Sequence, residues 1–382
     1  MGGDSLSQVP LLESEVDSRR FGLTVHRGTI DAIDERALLQ HLEQAQVDVA
    51  IVRIPAENAA ELNRLDRVGL PYFIADTLVY YSVSLEKIEF KALRNQDVEF
   101  VECTTPLIHE LDRLVEEIFP TYKNHYSTNP LFAADMLAGY QEWARSYADG
   151  SSPERRAWLV RRNGEFVAFA TCAFRGDTSE GILYGVSERA AGIGIYGDLI
   201  RFTQKVSRKL GAKHMEVSTQ SHNYAVQKVW GREGFVPVRS YATAHVNCLF
   251  GRSLEPRETV RLRISGADID KIANATGDFN DLHLSDEFAR AIGFTDRIAH
   301  GLIPLGAISK HYGTVTPGRG TIFQGYSYRF FRPLYCGVDY RIEFTYPVVN
   351  RARNSYRAVA RIYEPSGELC LVSYSDRVKK RS

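Results

Sequence analysis

A chain of 382 residues is too long for one ordinary core, so two or three domains are expected. With 44% hydrophobic and 25% charged residues it reads as globular, and 47 basic against 47 acidic residues leave no net charge to draw in nucleic acid or an anionic membrane. The five cysteines (Cys103, Cys172, Cys248, Cys336, Cys370) are scattered, with no C-x-x-C pair and no metal-ligand spacing, so reduced thiols in a cytoplasmic setting and no metal are expected.

Residues 1–20 are polar and acidic, lack the apolar centre of a signal peptide, and are expected to be a flexible leader. No apolar run reaches membrane-spanning length. In residues 21–95, Val47 to Ile54 reads as a buried strand, Ala56 to Val68 has helical spacing, and Phe73 to Ser84 reads as strand. No chemical constellation appears there, and the segment reads as a packing subdomain.

Residues 96–248 form a second α/β block. Thr105 to Phe119 is an amphipathic helix, followed by a polar, aromatic loop. Two strands meet at Asn163-Gly164, a hairpin signal. A third, Gly181 to Ser187, runs into Arg189-Ala-Ala-Gly-Ile-Gly194 and a helix from Ile195 to Leu210. A fourth, His214 to Thr219, leads through Asn223 to a short helix, then to Gly234-Phe235 and a last strand. Glycines between a strand and a helix let the backbone approach an anion that free N–H groups at the helix start can hold.

The R-x-x-G-x-G turn followed by strand, Thr219-Gln-x-x-Asn223, helix and Gly-Phe resembles the GNAT N-acyltransferases. The resemblance implies that Arg189, Ala191, Gly192, Ile193, Gly194 and Ile195 bind the pyrophosphate of an acyl-CoA donor, and that Asn223 lies beside its pantetheine arm. All of 20–248 looks most like the dTDP-fucosamine acetyltransferase group, which places a partial GNAT-like subdomain (21–95) before the GNAT domain (96–248). The family's usual tyrosine, which protonates the leaving thiolate, is Trp230 here, which leaves three readings: another tyrosine such as Tyr196 or Tyr224 serves, the thiolate leaves unassisted, or the domain only binds CoA. The amine acceptor is expected to be read by the loop at 120–130 and by the first subdomain.

Residues 249–258, polar with Gly and Pro, read as a linker. Beyond it come a strand (Val260 to Ile264), a helix (Ala267 to Ala275), the run Gly277-Asp-Phe-Asn-Asp-Leu-His283, and a helix from about His300 to His311. Strands at Ile322 to Phe331, Tyr340 to Val349 and Ser355 to Ile362, with a further one at Leu369 to Val378, close an α+β pattern. An acid, an amide and an imidazole within a few positions suit proton transfer beside a thioester carbonyl.

Residues 259–382 resemble the MaoC-like hotdog hydratases, the (R)-specific enoyl-CoA hydratase group, through G-D-F-N-x-L-H, His300-Gly301 and Phe330-x-x-Pro333. The resemblance implies Asp278 and His283 as the proton-transferring pair, Asn280 as their support, the Gly301 N–H as the oxyanion donor, and Ser309 as a hydrogen-bond partner of Asp278. Two departures stand out: Asp281 replaces the family's proline, and Val338 inserts between Gly337 and Asp339. The expected architecture is an α+β multidomain chain, GNAT-like then hotdog, acting on CoA or carrier thioesters and on an amine, and pairing as a homodimer through the hotdog. Two narrower readings fit the same residues: a hydratase whose GNAT part only binds CoA or a carrier, or a transferase whose hotdog is a dimerisation scaffold.

Overall fold

The computed structural model describes residues 9–120, 122, 124–132, 136–251, 258–350 and 355–380. The first elements are β1 (Leu12–Glu13), α1 (Glu15–Phe21), β2 (Val25–Thr29), α2 (Glu35–Gln44), β3 (Val49–Pro55), α3 (Leu65–Val68) and β4 (Tyr72–Ser84). Asp34 caps α2 by accepting the Ala37 N–H at 2.9 Å. The expected helix at 56–68 is a 3-10 stretch that becomes α-helical only at α3.

Residues 9–20 are not a loose leader. Leu11 is buried in the core under β3, β1 pairs with β2, and Asp17 is buried against Arg27 at 3.3 Å. Gly28 makes this possible, because a Cβ there would fall 2.0 Å from the Pro10 carbonyl oxygen. The part of the expected leader at 1–8 lies outside the described residues.

The chain continues through β5 (Val98–Glu102), α4 (Ile108–Ile118), α5 (His125–Thr128), α6 (Met136–Arg145), β6 (Arg155–Arg162), β7 (Glu165–Arg175), β8 (Thr178–Val186), α7 (Ile195–Lys209), β9 (His214–Gln220), α8 (Tyr224–Arg232) and β10 (Val236–Asn247). Leu111, Leu114 and Val115 of α4 are fully buried against the sheet, as their spacing requires. Asn163 and Gly164 both take positive φ (51° and 85°), the turn that matches strand twist in a two-residue hairpin.

These strands make one ten-stranded sheet in the order β1-β2-β3-β10-β4-β9-β8-β7-β6-β5. It does not break near residue 95. β10 inserts between β3 and β4, so the last strand of the second block completes the first. β8 and β9 run parallel and pair only from Thr178–His214 to Gly181–Val217. Beyond that point they diverge, and the sheet opens on the side where α7 begins.

The chain ends with β11 (Glu258–Arg263), α9 (Gly266–Thr276), α10 (Asp281–Leu284), α11 (Asp286–Ala291), α12 (Leu302–Thr314), β12 (Thr321–Phe323), β13 (Tyr326–Phe330), β14 (Asp339–Asn350), β15 (Ser355–Tyr363) and β16 (Leu369–Lys380). The expected strand at 322–331 is thus two, both paired with β16. The six strands form a second antiparallel sheet around α12, whose Leu305, Ile308 and Tyr312 pack on Ile342, Phe344, Ala360 and Leu371.

The other face of this sheet is also covered. Val359, Tyr363, Leu369, Val372 and Tyr374 share one core with Leu38, Leu42, Val52 and Ile54 of the first subdomain. The start of the expected linker belongs to that core: Leu249 and Phe250 are buried at 4% and 1%, and the 252–257 remainder lies outside the described residues. Arg361, buried at 2%, donates to the carbonyls of Leu249 (3.2 Å) and Gly251 (2.8 Å) and to Thr345 Oγ1 (2.9 Å).

Candidate active sites

The first site is built on the turn after α9. Gly277 closes that helix with φ +75°, a left-handed cap. Asn280 then caps α10, its side-chain oxygen accepting the Leu282 N–H at 3.1 Å. Asp278 Oδ1 accepts the Asn280 N–H at 3.3 Å, so acid and cap hold each other. His283 donates Nδ1–H to the Ile298 carbonyl at 2.8 Å. In the neutral ring that bond leaves the lone pair on Nε2, which faces Asp278 Oδ2 at 3.9 Å. The Asp278 side chain is 51% exposed and His283 only 13%.

His300, outside the expected set of site residues, completes the group. It is buried, stacks on His283 with centroids 4.0 Å apart, and donates Nε2–H to the Asp278 carbonyl at 2.9 Å. Ligand atoms of Asp278, His283 and His300 fall within 4.8 Å of one another, the spacing of a metal site. The tautomers fit proton transfer better. His300 Nε2 is spent on a carbonyl, which leaves Asp278 and His283 Nε2 as the pair aimed at one space.

Gly301 begins α12, and a Cβ there would meet the Phe330 ring at 3.2 Å. N–H groups of a first helical turn have no intrahelical acceptor and carry the positive end of the helix dipole. Ser309 does not join the site. It is exposed, it makes no hydrogen bond to Asp278, and the helix carries it about 12 Å along from Gly301. Neither departure from the motif disturbs the pair. Asp281 sits in the first turn of α10, where a carboxylate is favoured, and Val338 packs against the core around α12.

The second site lies where α7 begins. Ala191 is extended, and Gly192 (φ +78°) and Gly194 (φ +100°) take conformations that a Cβ would strain. Ile195 is buried and anchors the first turn. Arg189 is engaged elsewhere: its guanidinium pairs with Glu165 at 2.6 Å, reaches Glu117 at 3.6 Å and donates to the Phe166 carbonyl, because acids on α4 and β7 flank the turn. The arginine beside the glycines is Arg94, whose side chain lies 2.8 Å from where a Gly194 Cβ would stand. Asn223 stands at the start of α8 without capping it, and donates its amide to Thr219 Oγ1 at 3.0 Å, at the diverging end of β9.

Two family profiles match the chain, "Acetyltransferase (GNAT) family" over residues 111–235 and "MaoC like domain" over residues 250–361. A 3-hydroxybutyryl-CoA dehydratase of Methylorubrum extorquens is 37% identical over 98 residues, which are 25% of this chain and 62% of that relative, less than two thirds of its length. An (R)-specific enoyl-CoA hydratase of Aeromonas caviae is 30% identical over 122 residues, 31% of this chain and 91% of that one. A solved (R)-hydratase from A. caviae is 28% identical and is covered whole by 34% of this chain, at a TM-score of 0.31. The chain belongs to the MaoC-like family. Its MaoC-like domain follows a GNAT-family domain on the same chain.

In the GNAT-family domain, Trp230 is buried at 3%, beside Phe235 and against Tyr81 at a ring distance of 5.5 Å. Of the two candidate tyrosines, Tyr224 is 68% exposed. Tyr196, in the first turn of α7, is half-buried, and its desolvation pushes its phenol up, while the neighbouring Trp230 N–H opposes this.

A cavity of about 560 Å³ lies against the face of the ten-stranded sheet that carries Arg27, Arg53, Tyr80 and Gln220. Helices α1, α5 and α6 roof it, and Ile182 and Leu183 of β8 bring it to the gap between β8 and β9. The loop at 120–130 contributes Tyr122 and His125 to its wall, and the first subdomain contributes the arginines. Glu180 also lines it, and burial pushes that carboxyl above its ordinary range. None of these lining residues was legible as a motif, because they come from separate strands and helices.

Proposed function

We propose that the MaoC-like domain adds water across the 2,3-double bond of an enoyl thioester, or removes it from the 3-hydroxyacyl form. The observation that carries this reading is the Asp278–His283 pair, with a lone pair on His283 Nε2 facing the exposed Asp278 carboxylate across 3.9 Å. One water between them gives up its proton as its oxygen bonds to C3, and the pair returns a proton to C2. The Gly301 N–H stabilises the negative charge on the thioester oxygen, and Asn280 and His300 hold Asp278 in place. Exposed apolar residues flank the site in the chain, Phe279 (58%) next to Asp278 and Leu302 (51%) next to Gly301. A second copy laid on this face would cover them and close the site, so the working form is a homodimer.

The GNAT-family domain, in the same reading, moves the acyl group from CoA to an amine. Backbone N–H groups from Ala191 to Ile195, with Arg94, hold the diphosphate, and the pantetheine passes Asn223 into the β8–β9 gap. Glu180 takes the proton of the amine, the amine attacks the thioester carbonyl, and the C–S bond breaks. Tyr196 donates to the departing sulfur. Trp230 favours a second reading, in which this domain holds the thioester without transferring it, since an indole N–H does not give up its proton near neutral pH.

The test is to follow loss of the conjugated double bond of crotonyl-CoA by purified protein, and thiol release with an amine panel in a separate assay. Unchanged hydration by Asp278→Asn would remove the first reading. Absence of thiol release across the panel would leave the second.

A further inference from the structure

The cavity against the ten-stranded sheet carries charges that the protein does not pair. Arg53 lines it, forms no ion pair with a described carboxylate, and has a buried Nε without a hydrogen-bond partner. In register with it, Arg53 faces Thr243 on β10, and Thr243 faces Asp76 on β4. Thr243 Oγ1 and both Asp76 oxygens are buried and equally without partners. A cation, a hydroxyl and an anion thus stand in one row across three adjacent strands, about 10 Å from end to end. Buried polar groups are almost always bonded, so a row of this kind marks a place where another polar molecule completes the bonding.

A histidine pair extends the donor side of the cavity. The Asn129 side-chain oxygen accepts the Leu131 N–H at 3.1 Å, which fixes the amide orientation. Its NH2 therefore donates to Asn247 Oδ1 at 2.9 Å and to His245 Nδ1 at 3.0 Å. His245 must carry its proton on Nε2, and donates it to His125 Nδ1 at 2.9 Å. His125, which lines the cavity, is left with its own proton on Nε2. Burial, with Arg27 and Arg53 nearby, holds both rings neutral, His245 down to about 3. The ring is a fixed donor and not a base. Arg27 is already held by Asp17 at 3.3 Å and by Tyr126 at 3.2 Å, and the exposed Arg155 lies over the Tyr147 ring, so Arg53, which feels the Glu180 carboxylate but forms no ion pair with it, is the cation on this part of the sheet with charge to spare.

We infer that this cavity takes an amine that also carries an anionic group, a carboxylate or a phosphate, with the anion against Arg53 and the His125 N–H. The amine lies toward Asp76, Gln220 and the β8–β9 gap, where the thioester arrives. Asp76 lies on β4, the strand that pairs with β9, so the acidic side of the row is the side nearest β9, where the lining residue Tyr122 donates to Gln220. The inference rests on the transferase reading above for what happens to the amine, but not for what binds.

Calorimetry on the full chain tests it with paired ligands: an L-amino acid against its carboxamide, and glucosamine 6-phosphate against glucosamine. In at least one pair the anionic member binds at least about tenfold tighter, the size of one charge-assisted contact. The pair that discriminates tells carboxylate from phosphate. Arg53→Gln abolishes the preference and Arg53→Lys keeps part of it, with unchanged melting temperatures; the wild-type comparison stands without either variant. Equal binding within both pairs, no binding at all, or a preference that survives Arg53→Gln overturns the inference. Thiol release from an acyl-CoA is read separately. Selective binding without release would keep the site and remove the transferase, and release with neutral amines at equal rates would do the reverse.

Discussion

Separating the MaoC-like domain from the rest of the chain should unfold it. Truncation to residues 258–382 uncovers Val359, Tyr363, Leu369, Val372 and Tyr374, each no more than 7% exposed in the full chain. At about 1.5–3 kcal/mol per fully buried side chain, the five together are worth roughly 7–15 kcal/mol, an upper bound because denatured chains already bury some apolar surface. That equals the whole stability of a typical domain, about 5–15 kcal/mol. Arg361 also loses its bonds to the Leu249 and Gly251 carbonyls. The fragment should be purified beside the full chain and compared by thermal melting, dye binding and crotonyl-CoA hydration. The expected result is no cooperative transition, strong dye binding and negligible hydration. A fragment that melts cooperatively within a few degrees of the full chain, and hydrates at its rate, would refute the shared-core argument.

In the full chain, Asp278→Asn and His283→Gln should each lower the hydration rate about 10²–10⁴-fold with little change in thioester affinity, as separate kcat and KM measurements would establish. Tyr196→Phe should slow acyl transfer roughly 10²-fold while CoA still binds, whereas Trp230→Phe should leave the rate nearly unchanged; the opposite pattern would assign the proton donor to the wrong residue. The protein should lose stability on acidification in a defined window. His245 is held neutral at a value lowered from 6.5 to about 3, so below pH 6.5 the unfolded chain takes up the proton first. The stabilising effect is intact above pH 6.5 and is lost as pH falls toward 3, by up to roughly 5 kcal/mol. Urea unfolding across that range should give a shallower slope in His245→Gln, and equal slopes would exclude this origin.

What was legible in the sequence follows how local each feature is. Asp278, Asn280 and His283 sit within one turn and its short helix, so their spacing in the chain is nearly their spacing in space. The glycines at 192 and 194 are legible for the same reason, since positive φ is a demand on the residue itself. Arg189 misled because the motif fixes where its backbone turns but not where its side chain goes, and Glu165 and Glu117 on neighbouring elements claim it. Ser309 misled because a position carried over from a family likeness does not say which face of α12 meets Asp278. The leader failed as an expectation because polar composition hid one decisive residue, Leu11, and the glycine across from it. Arg53, His125 and Asp76 carried no motif, although they fall in the loop at 120–130 and the first subdomain that were expected to read the amine. They lie on β3, α5 and β4 and meet only once β10 has threaded between its neighbours.

The chemistry of the two domains fixes an order if both work on one acyl group. In the mechanism proposed above, hydration needs the thioester, whose carbonyl accepts charge at the Gly301 N–H while C2 gains or loses a proton. Transfer to an amine breaks the C–S bond and leaves an amide, a far poorer electron sink. Water must therefore be added before the acyl group is moved, and the GNAT-family domain should receive the hydroxylated form. Supplied with crotonyl-CoA and an accepted amine, the full chain should release 3-hydroxybutyryl amide as the main product by mass spectrometry. Asp278→Asn should shift the product to the crotonyl amide, or stop release if the transferase demands the hydroxyl. Release of the hydroxylated amide by that variant at the wild-type rate would mean that hydration does not depend on the Asp278 site, and the order argued from its chemistry would fall with it.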